Sequence, residues 1–204
     1  MTITYLGHAC FMLESGGYRV ILDPCKGVPG VRDTEAEAEA VYCSHGHFDH
    51  CYTEKIKLRE SVASPFSVRE VASFHDNAQG AKRGENTIRV LTADGITVAH
   101  LGDLGHQLSA EQLEAIGKCD VLLLPVGGTY TLDCRGAKAV ADAVAPRMIC
   151  PMHYRRGEMG FEVLQTVEEF AAQYRSEDVH MLAENTLELN EEILHRGGVV
   201  VLQP

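Results

Sequence analysis

The side chains best suited to chemistry are concentrated in one stretch, SHGHFDHC at residues 44–51. Alternate residues of an extended chain point to the same side, so His45 and His47 can reach one ion. Asp49 and His50 follow directly, and if they lie in a turn their side chains can reach a second position next to the first ion. Imidazole and carboxylate groups are typical ligands of divalent metals. The spacing therefore predicts a segment that supplies two ligands to each of two adjacent metal ions.

Two metals need further ligands, and candidates stand at the ends of other strand-like runs. His153 directly follows one such run, and His75 ends another just before a polar, glycine-containing loop. Asp103 follows a third run, where Gly102 allows the backbone to turn tightly. Its carboxylate has two oxygens and can bridge two cations. Because the ends of adjacent strands converge at a sheet edge, these three residues are predicted to complete the site.

The elements that must position these residues are visible as short apolar runs and capping signals. Strand-like runs occupy 2–6, 10–14, 18–22, 41–44, 87–91, 96–101, 121–124, 148–150 and 198–202. A capping box of Ser109 and Gln112 predicts a short helix that ends near Gly117, and further helices are predicted at 136–144 and 163–174. The acidic run 33–40 is predicted to form a solvated turn or short helix. Consecutive strands with helices between some of them and near the end of the chain favour two β-sheets with the helices packed on the outside.

Composition limits the classes of function. The chain has 204 residues, which fits a single domain spanning residues 1–204. A formal net charge of −11 argues against non-specific or large nucleic-acid partners, since phosphate binding needs a basic face. We expect a small-molecule substrate and no membrane partner, because no apolar run is long enough to span a bilayer. A homo-oligomer stays possible.

The cysteines indicate a cellular compartment. Seven of them are scattered without regular spacing, which does not suggest a disulfide framework. The N-terminal sequence lacks the basic and apolar regions of a signal peptide. We therefore expect free thiols in a reducing cytoplasm. Cys51, which adjoins the histidine cluster, is given no role.

The H-x-H-x-D-H motif after a short strand resembles the signature of the metallo-β-lactamase fold superfamily. The blocks TYLGHACFMLESGGYRVILDP, HLGD, DVLLLPVGGTYTLD and ICPMHY resemble small metal-dependent hydrolases related to ascorbate-6-phosphate lactonase. They also resemble the N-acylphosphatidylethanolamine phospholipase D branch. Together they cover most of the chain from Thr2 to Tyr154. The resemblance implies an α/β fold, the four-layer αββα sandwich of that superfamily.

The resemblance also implies a ligand set and a cofactor. It assigns His45, His47 and His75 to one metal, Asp49, His50 and His153 to the second, and Asp103 to both. Asp23, in an early motif, is expected to orient the histidine segment. The implied cofactor is two divalent ions, zinc first, although this nitrogen and oxygen donor set also suits Mn, Fe or Ni. Many members of the superfamily have threonine after the aspartate that corresponds to Asp103, whereas this chain has Leu104. The difference affects what the resemblance implies about the substrate pocket more than what it implies about the metal ligands.

The reaction implied is hydrolysis by a hydroxide held between the two metals. Asp49 and Asp103 are the residues expected to act in catalysis, Asp49 by orienting the hydroxide or moving a proton. A lactone or similar small ester is the favoured substrate, and phosphodiester hydrolysis is the alternative. From another class, the chain could be a redox or non-catalytic metal-binding protein. His8, His106, Tyr130 and Tyr154 are further candidates for contacts to substrate or ligands.

Overall fold

Two β-sheets form the centre of the fold in the computed structural model, which describes residues 1–60 and 63–204. The strands are β1 (Thr2–Gly7), β2 (Cys10–Ser15), β3 (Tyr18–Leu22), β4 (Ala36–Ala38), β5 (Ala40–Tyr42), β6 (Ile56–Leu58), β7 (Ser67–Phe74), β8 (Glu85–Ala93), β9 (Ile96–His100), β10 (Val121–Pro125), β11 (Met148–Met152), β12 (Val179–Met181), β13 (Thr186–Glu188) and β14 (Gly198–Val201). The helices are α1 (Ala110–Ile116), α2 (Cys134–Val144), α3 (Val167–Ala171) and α4 (Glu191–Arg196).

The smaller sheet has the strand order β13-β1-β2-β3-β5. Its strands alternate between two apolar environments. Phe11 and Leu13 of β2 belong to the main core, whereas Cys10 and Met12 face a second apolar cluster on the opposite side. This period of two is what a strand covered on both faces requires. The second cluster includes Ala38 and Ile56, so the short β4–β6 pair covers part of this outer face.

The larger sheet has the order β12-β14-β11-β10-β9-β8-β7. Strands β9, β10, β11, β14 and β12 pair with one another in parallel, and all five residues of β10 are buried. Parallel strands are covered on both faces, which explains the continuous apolar run of β10. Helix α1 packs near β7 and α2 near β10, with α3 against α2. The predicted α/β fold, the αββα sandwich class, is confirmed.

Two local predictions are wrong. The predicted helix 163–174 is reduced to α3, because Thr166 and Glu169 form a reciprocal capping box that starts the helix at residue 167. The acidic run 33–40 is not a turn or a helix. It contains β4, which pairs in parallel with β6 and buries Ala38 completely.

The helices of the described ranges are short. The longest, α2, has 11 residues. In residues 1–60 and 63–204, no helix is both long enough and apolar enough to cross a membrane.

Candidate metal centre

The predicted ligands converge at one edge of the sheets because the strands that carry them end there. Strand β7 is antiparallel to β8, and β8 is antiparallel to β9, so β7, β9, β10 and β11 run in one direction. His75 follows β7, Asp103 follows β9 and His153 follows β11. The segment 44–51 joins them from the end of β5. A cavity of about 290 Å³ opens at this edge.

Asp103 lies at the centre of the cluster and is only 2% exposed. Its Oδ2 lies 3.1 Å from His75 Nε2, 3.2 Å from His50 Nε2 and 3.4 Å from His153 Nε2. His45 Nε2 is 3.9 Å away. Burial opposes ionisation of this carboxyl, but His153 and His50 outweigh it and hold the pKa of Asp103 well below its usual range. One ionised carboxylate therefore faces imidazoles from both predicted metal positions.

Gly102 makes this position of Asp103 possible. Its φ is +55°, in the left-handed region, and a Cβ there would overlap the side chains of Asn86 and Ser44. The Asn86 Oδ1 accepts a 2.9 Å hydrogen bond from the Asp103 N–H. Asn86 in turn donates to the Leu101 carbonyl at 2.9 Å, so one side chain is bonded to both ends of the buried turn after β9.

The first group of side chains contains His45, His47 and His75, whose candidate ligand atoms lie within 4.8 Å of one another. His45 Nε2 and His47 Nδ1 are 2.9 Å apart. Burial lowers the pKa of His45 to about 4 and also lowers the pKa of His47. Both imidazoles are thus neutral near pH 7, with lone pairs available for a cation.

The second group contains His8, Asp49, His50 and His153, again with candidate atoms within 4.8 Å. His8 Nε2 lies 3.3 Å from Asp49 Oδ2, so His8, predicted as a candidate for contacts to substrate or ligands, belongs to this group. Burial lowers the pKa of His8 to about 3. Burial alone would raise the pKa of Asp49, but the contacts with His8 and His50 lower it to about 2.

Asp23 lies behind His50 and fixes its ring. The His50 Nδ1 donates to Asp23 Oδ2 at 2.7 Å, which leaves Nε2 directed at Asp103. Ser44 holds the Asp23 carboxylate through its N–H at 2.7 Å and its hydroxyl at 2.6 Å. Such a carboxylate fixes the tautomer and orientation of a metal-binding histidine.

The unsatisfied polar atoms test whether this pocket suits metal ions. In the described part of the chain, His8 Nε2, His50 Nε2 and Asp103 Oδ1 are buried without a hydrogen-bond partner. Burial would lower the pKa of His50, but Asp103 and Asp23 raise it well above its ordinary value. The two carboxylates therefore stabilise a positive charge placed next to them. Divalent ions would supply that charge and occupy the unpaired atoms. The residues therefore fit two neighbouring cations.

Of the other predicted contact residues, Tyr130 lines the cavity, but His106 and Tyr154 do not. The His106 ring is occupied by backbone: Nε2 accepts from the Phe74 N–H at 3.1 Å, and Nδ1 donates to the Gln107 carbonyl at 2.8 Å. The Tyr154 hydroxyl donates to the Leu202 carbonyl at 3.4 Å inside the core. Neither side chain is placed to contact a substrate.

The expectation of free thiols fails for two cysteines. Cys43 and Cys51 form a disulfide that encloses His45, His47, Asp49 and His50 in a closed loop. The other five cysteines are free and buried. Cys51 therefore has a structural role next to the ligand segment, which its position in the sequence alone did not reveal.

Three cavity residues escaped the sequence analysis: Phe48, Arg83 and Phe161. Phe48 lies inside the metal motif itself and is 54% exposed, so it forms part of the rim. Arg83 stands eight residues after His75, in the polar loop that begins there. The one signal in the sequence that could have indicated Arg83 was its loop, which begins at the predicted ligand His75.

The chain is similar to known proteins in sequence and in fold. Residues 2–153 match the family described as "Beta-lactamase superfamily domain". A protein of Thermotoga maritima, a proposed Zn-dependent hydrolase of the metallo-beta-lactamase superfamily, has a crystal structure similar to this chain. The two are 36% identical, with a TM-score of 0.77 over 98% of this chain and 97% of the other.

Two curated relatives are named metal-dependent hydrolases. The protein of Carboxydothermus hydrogenoformans is 29% identical over 191 residues, covering 76% of this chain and 84% of the relative. That of Archaeoglobus fulgidus is 30% identical over 193 residues, covering 76% of this chain and 83% of the relative.

Proposed function

The chain belongs to the beta-lactamase superfamily, and we propose that it is a metal-dependent hydrolase that cleaves a lactone or similar small ester. One observation carries the proposal: imidazoles of two neighbouring groups converge on a single buried carboxylate, Asp103, at the floor of an open cavity. Structural metal sites are closed, whereas a catalytic site keeps a position for water or substrate.

We assign His45, His47 and His75 to one ion, Asp49, His50 and His153 to the other, and Asp103 to both. Divalent ions held here, zinc first, would supply Lewis acidity, which acidifies water and polarises the bond to be cleaved. The open cavity and the buried, unpaired donor atoms support a reactive centre over a purely structural one.

The chain's own residues would manage the proton. The Asp49 carboxylate lines the cavity and is held by His8 at 3.3 Å. In this position it can accept a proton from the attacking water, whose oxygen bonds to the ester carbonyl carbon. Asp49 can then return the proton to the departing alkoxide, so that the acid and the alcohol are released.

The small cavity supports a small substrate. Its volume of about 290 Å³ lies just below the usual range for ligand sites, roughly 300–1,000 Å³. Small lactones and short esters are of that size, whereas a folded RNA would have to be held mainly outside the cavity. The net charge of −11 also disfavours a polynucleotide.

The proposal is tested with purified, metal-loaded protein on a panel of lactones, 4-nitrophenyl esters and bis(4-nitrophenyl) phosphate. We expect the wild type to hydrolyse esters and His47→Ala to lose at least about 100-fold in kcat/KM, because loss even of an outer partner of a metal ligand costs about 10–100-fold. The exposed His195→Ala on α4 is the matched control and should keep wild-type activity.

Circular dichroism should show that both variants are folded. Turnover of the phosphodiester alone would replace the ester assignment by a phosphodiesterase. Full activity of His47→Ala would contradict the role of this residue in the site.

A further inference from the structure

The metal centre leaves one cation of its cavity without a role. Arg83 lines the same cavity as His47, His75 and Asp103, and no other Lys or Arg of the described ranges does so. In the described residues no carboxylate forms an ion pair with its guanidinium. Its position at the cavity distinguishes it from the other Lys and Arg residues of the described ranges that form no ion pair. It brings a positive charge to a cavity whose wall also contains Asp49 and Asp103.

The loop that carries Arg83 is organised around a single buried carboxylate. Asp76 follows the predicted ligand His75, and its Oδ1 accepts from the Ala78 N–H at 2.7 Å and the Gly80 N–H at 3.0 Å. Its Oδ2 accepts from the N–H groups of Lys82 at 2.9 Å and Arg83 at 2.7 Å. The backbone of Arg83 is thereby tied to the residue next to a metal-ligand position.

The side chain of Arg83 is fixed at its other end by an aromatic ring. Its guanidinium lies over the Tyr130 ring, with Cζ 4.5 Å from the centroid. Stacking uses the face of the guanidinium and leaves the N–H groups on its edge free to donate. Two loops, one after β7 and one after β10, thus hold a planar, two-pronged donor at the cavity wall.

A planar pair of N–H donors matches a carboxylate, which accepts two parallel hydrogen bonds. A single guanidinium also balances the single charge of that group. We infer that Arg83, supported by Tyr130, binds a free carboxylate of the substrate, so that the preferred substrates are small esters or lactones that carry a carboxylate away from the bond cleaved. This inference rests on the proposed ester hydrolase function and specifies its substrate class.

A pair of matched substrates tests the inference on the metal-loaded protein. Mono-(4-nitrophenyl) glutarate and 4-nitrophenyl butyrate have the same leaving group, but only the first carries a carboxylate. We expect the wild type to prefer the glutarate ester in kcat/KM. In Arg83→Met this preference should fall about tenfold, mainly through KM, because the substrate carboxylate loses its charged hydrogen-bond donor.

Two variants of the same loop serve as controls. Lys82→Met removes a neighbouring cation that does not line the cavity, and it should keep the wild-type preference. Arg83→Lys keeps the charge but loses the two-pronged geometry, so it should retain only part of the preference.

Equal preference in the wild type and Arg83→Met would overturn the inference, as would an equal loss in Lys82→Met. If neither ester is hydrolysed, the proposed function fails separately. Calorimetric titration with glutarate then decides the Arg83 assignment. Binding about tenfold weaker to Arg83→Met than to the wild type would uphold the assignment, and equal affinities would reject it.

Discussion

At the scale of single residues, the centre depends on carboxylates that hold imidazoles in position. Asp23 is completely enclosed and accepts hydrogen bonds from His50 and from both donors of Ser44. Burial would raise the pKa of Asp23, but His100 and His50 lower it below its ordinary value. Asp23 is therefore ionised, and it accepts the hydrogen bond from His50 Nδ1, which directs Nε2 toward Asp103.

We expect Asp23→Asn to weaken metal binding about 10–100-fold, because the amide cannot fix the His50 tautomer as a carboxylate does. Competition with a chromophoric chelator measures the affinity. Asp94→Asn, in the turn between β8 and β9, is the control and should bind metal as the wild type does. Unchanged affinity in Asp23→Asn would show that the contact with His50 does not orient the ligand.

The local part of the site could be predicted from sequence, and the tertiary part only partly. The spacing of His45, His47, Asp49 and His50 is a property of one short segment, so its geometry follows from neighbouring residues alone. The place of His8 could not be decided, because it depends on how the turn after β1 packs against His153, with ring centroids 4.2 Å apart. Arg83 was missed for the same reason: its partner Tyr130 is distant in sequence.

At the scale of secondary structure, the strand ends determine where the ligands lie. The long apolar runs were predictable because β10 and β11 are buried on both faces and bounded by turn residues. The three-residue strands β4, β6, β12 and β13 were not predictable, since each is held only by pairing with a partner distant in sequence. Helix α3 is shorter than its apolar periodicity suggests because the capping box at Thr166 fixes its start.

The turn after β9 offers a test of this positioning. We expect Gly102→Ala to lower the free energy of unfolding by about 3 kcal/mol, because the new Cβ meets Asn86 and Ser44 in addition to the strain of a positive φ. Gly95→Ala is the matched control: its φ is also positive, at +75°, but nothing lies within 4 Å of its Cβ. It should lose only about 1 kcal/mol.

Urea unfolding followed by circular dichroism measures both variants. Equal destabilisation of the two would mean that the close packing around Gly102 does not hold Asp103 in place.

At the scale of the whole molecule, two sheets bring residues from five distant parts of the sequence to one edge. The order of the blocks along the chain resembled the metallo-β-lactamase superfamily, and the fold and family are confirmed. The net charge of −11 disfavours polynucleotides as substrates. The small cavity and its Arg83 favour, under our proposal, a small ester that carries a negative charge. The ligand assignment and the substrate remain our proposals.

Metal counting distinguishes an Asp103 carboxylate shared by two metal ions from one that holds a single ion. Elemental analysis of the wild type, saturated with zinc and passed through a desalting column, should give two ions per chain. Asp103→Asn should give fewer than two while its circular dichroism stays that of a folded protein. One ion per wild-type chain, or two ions retained in Asp103→Asn, would contradict the shared-carboxylate centre.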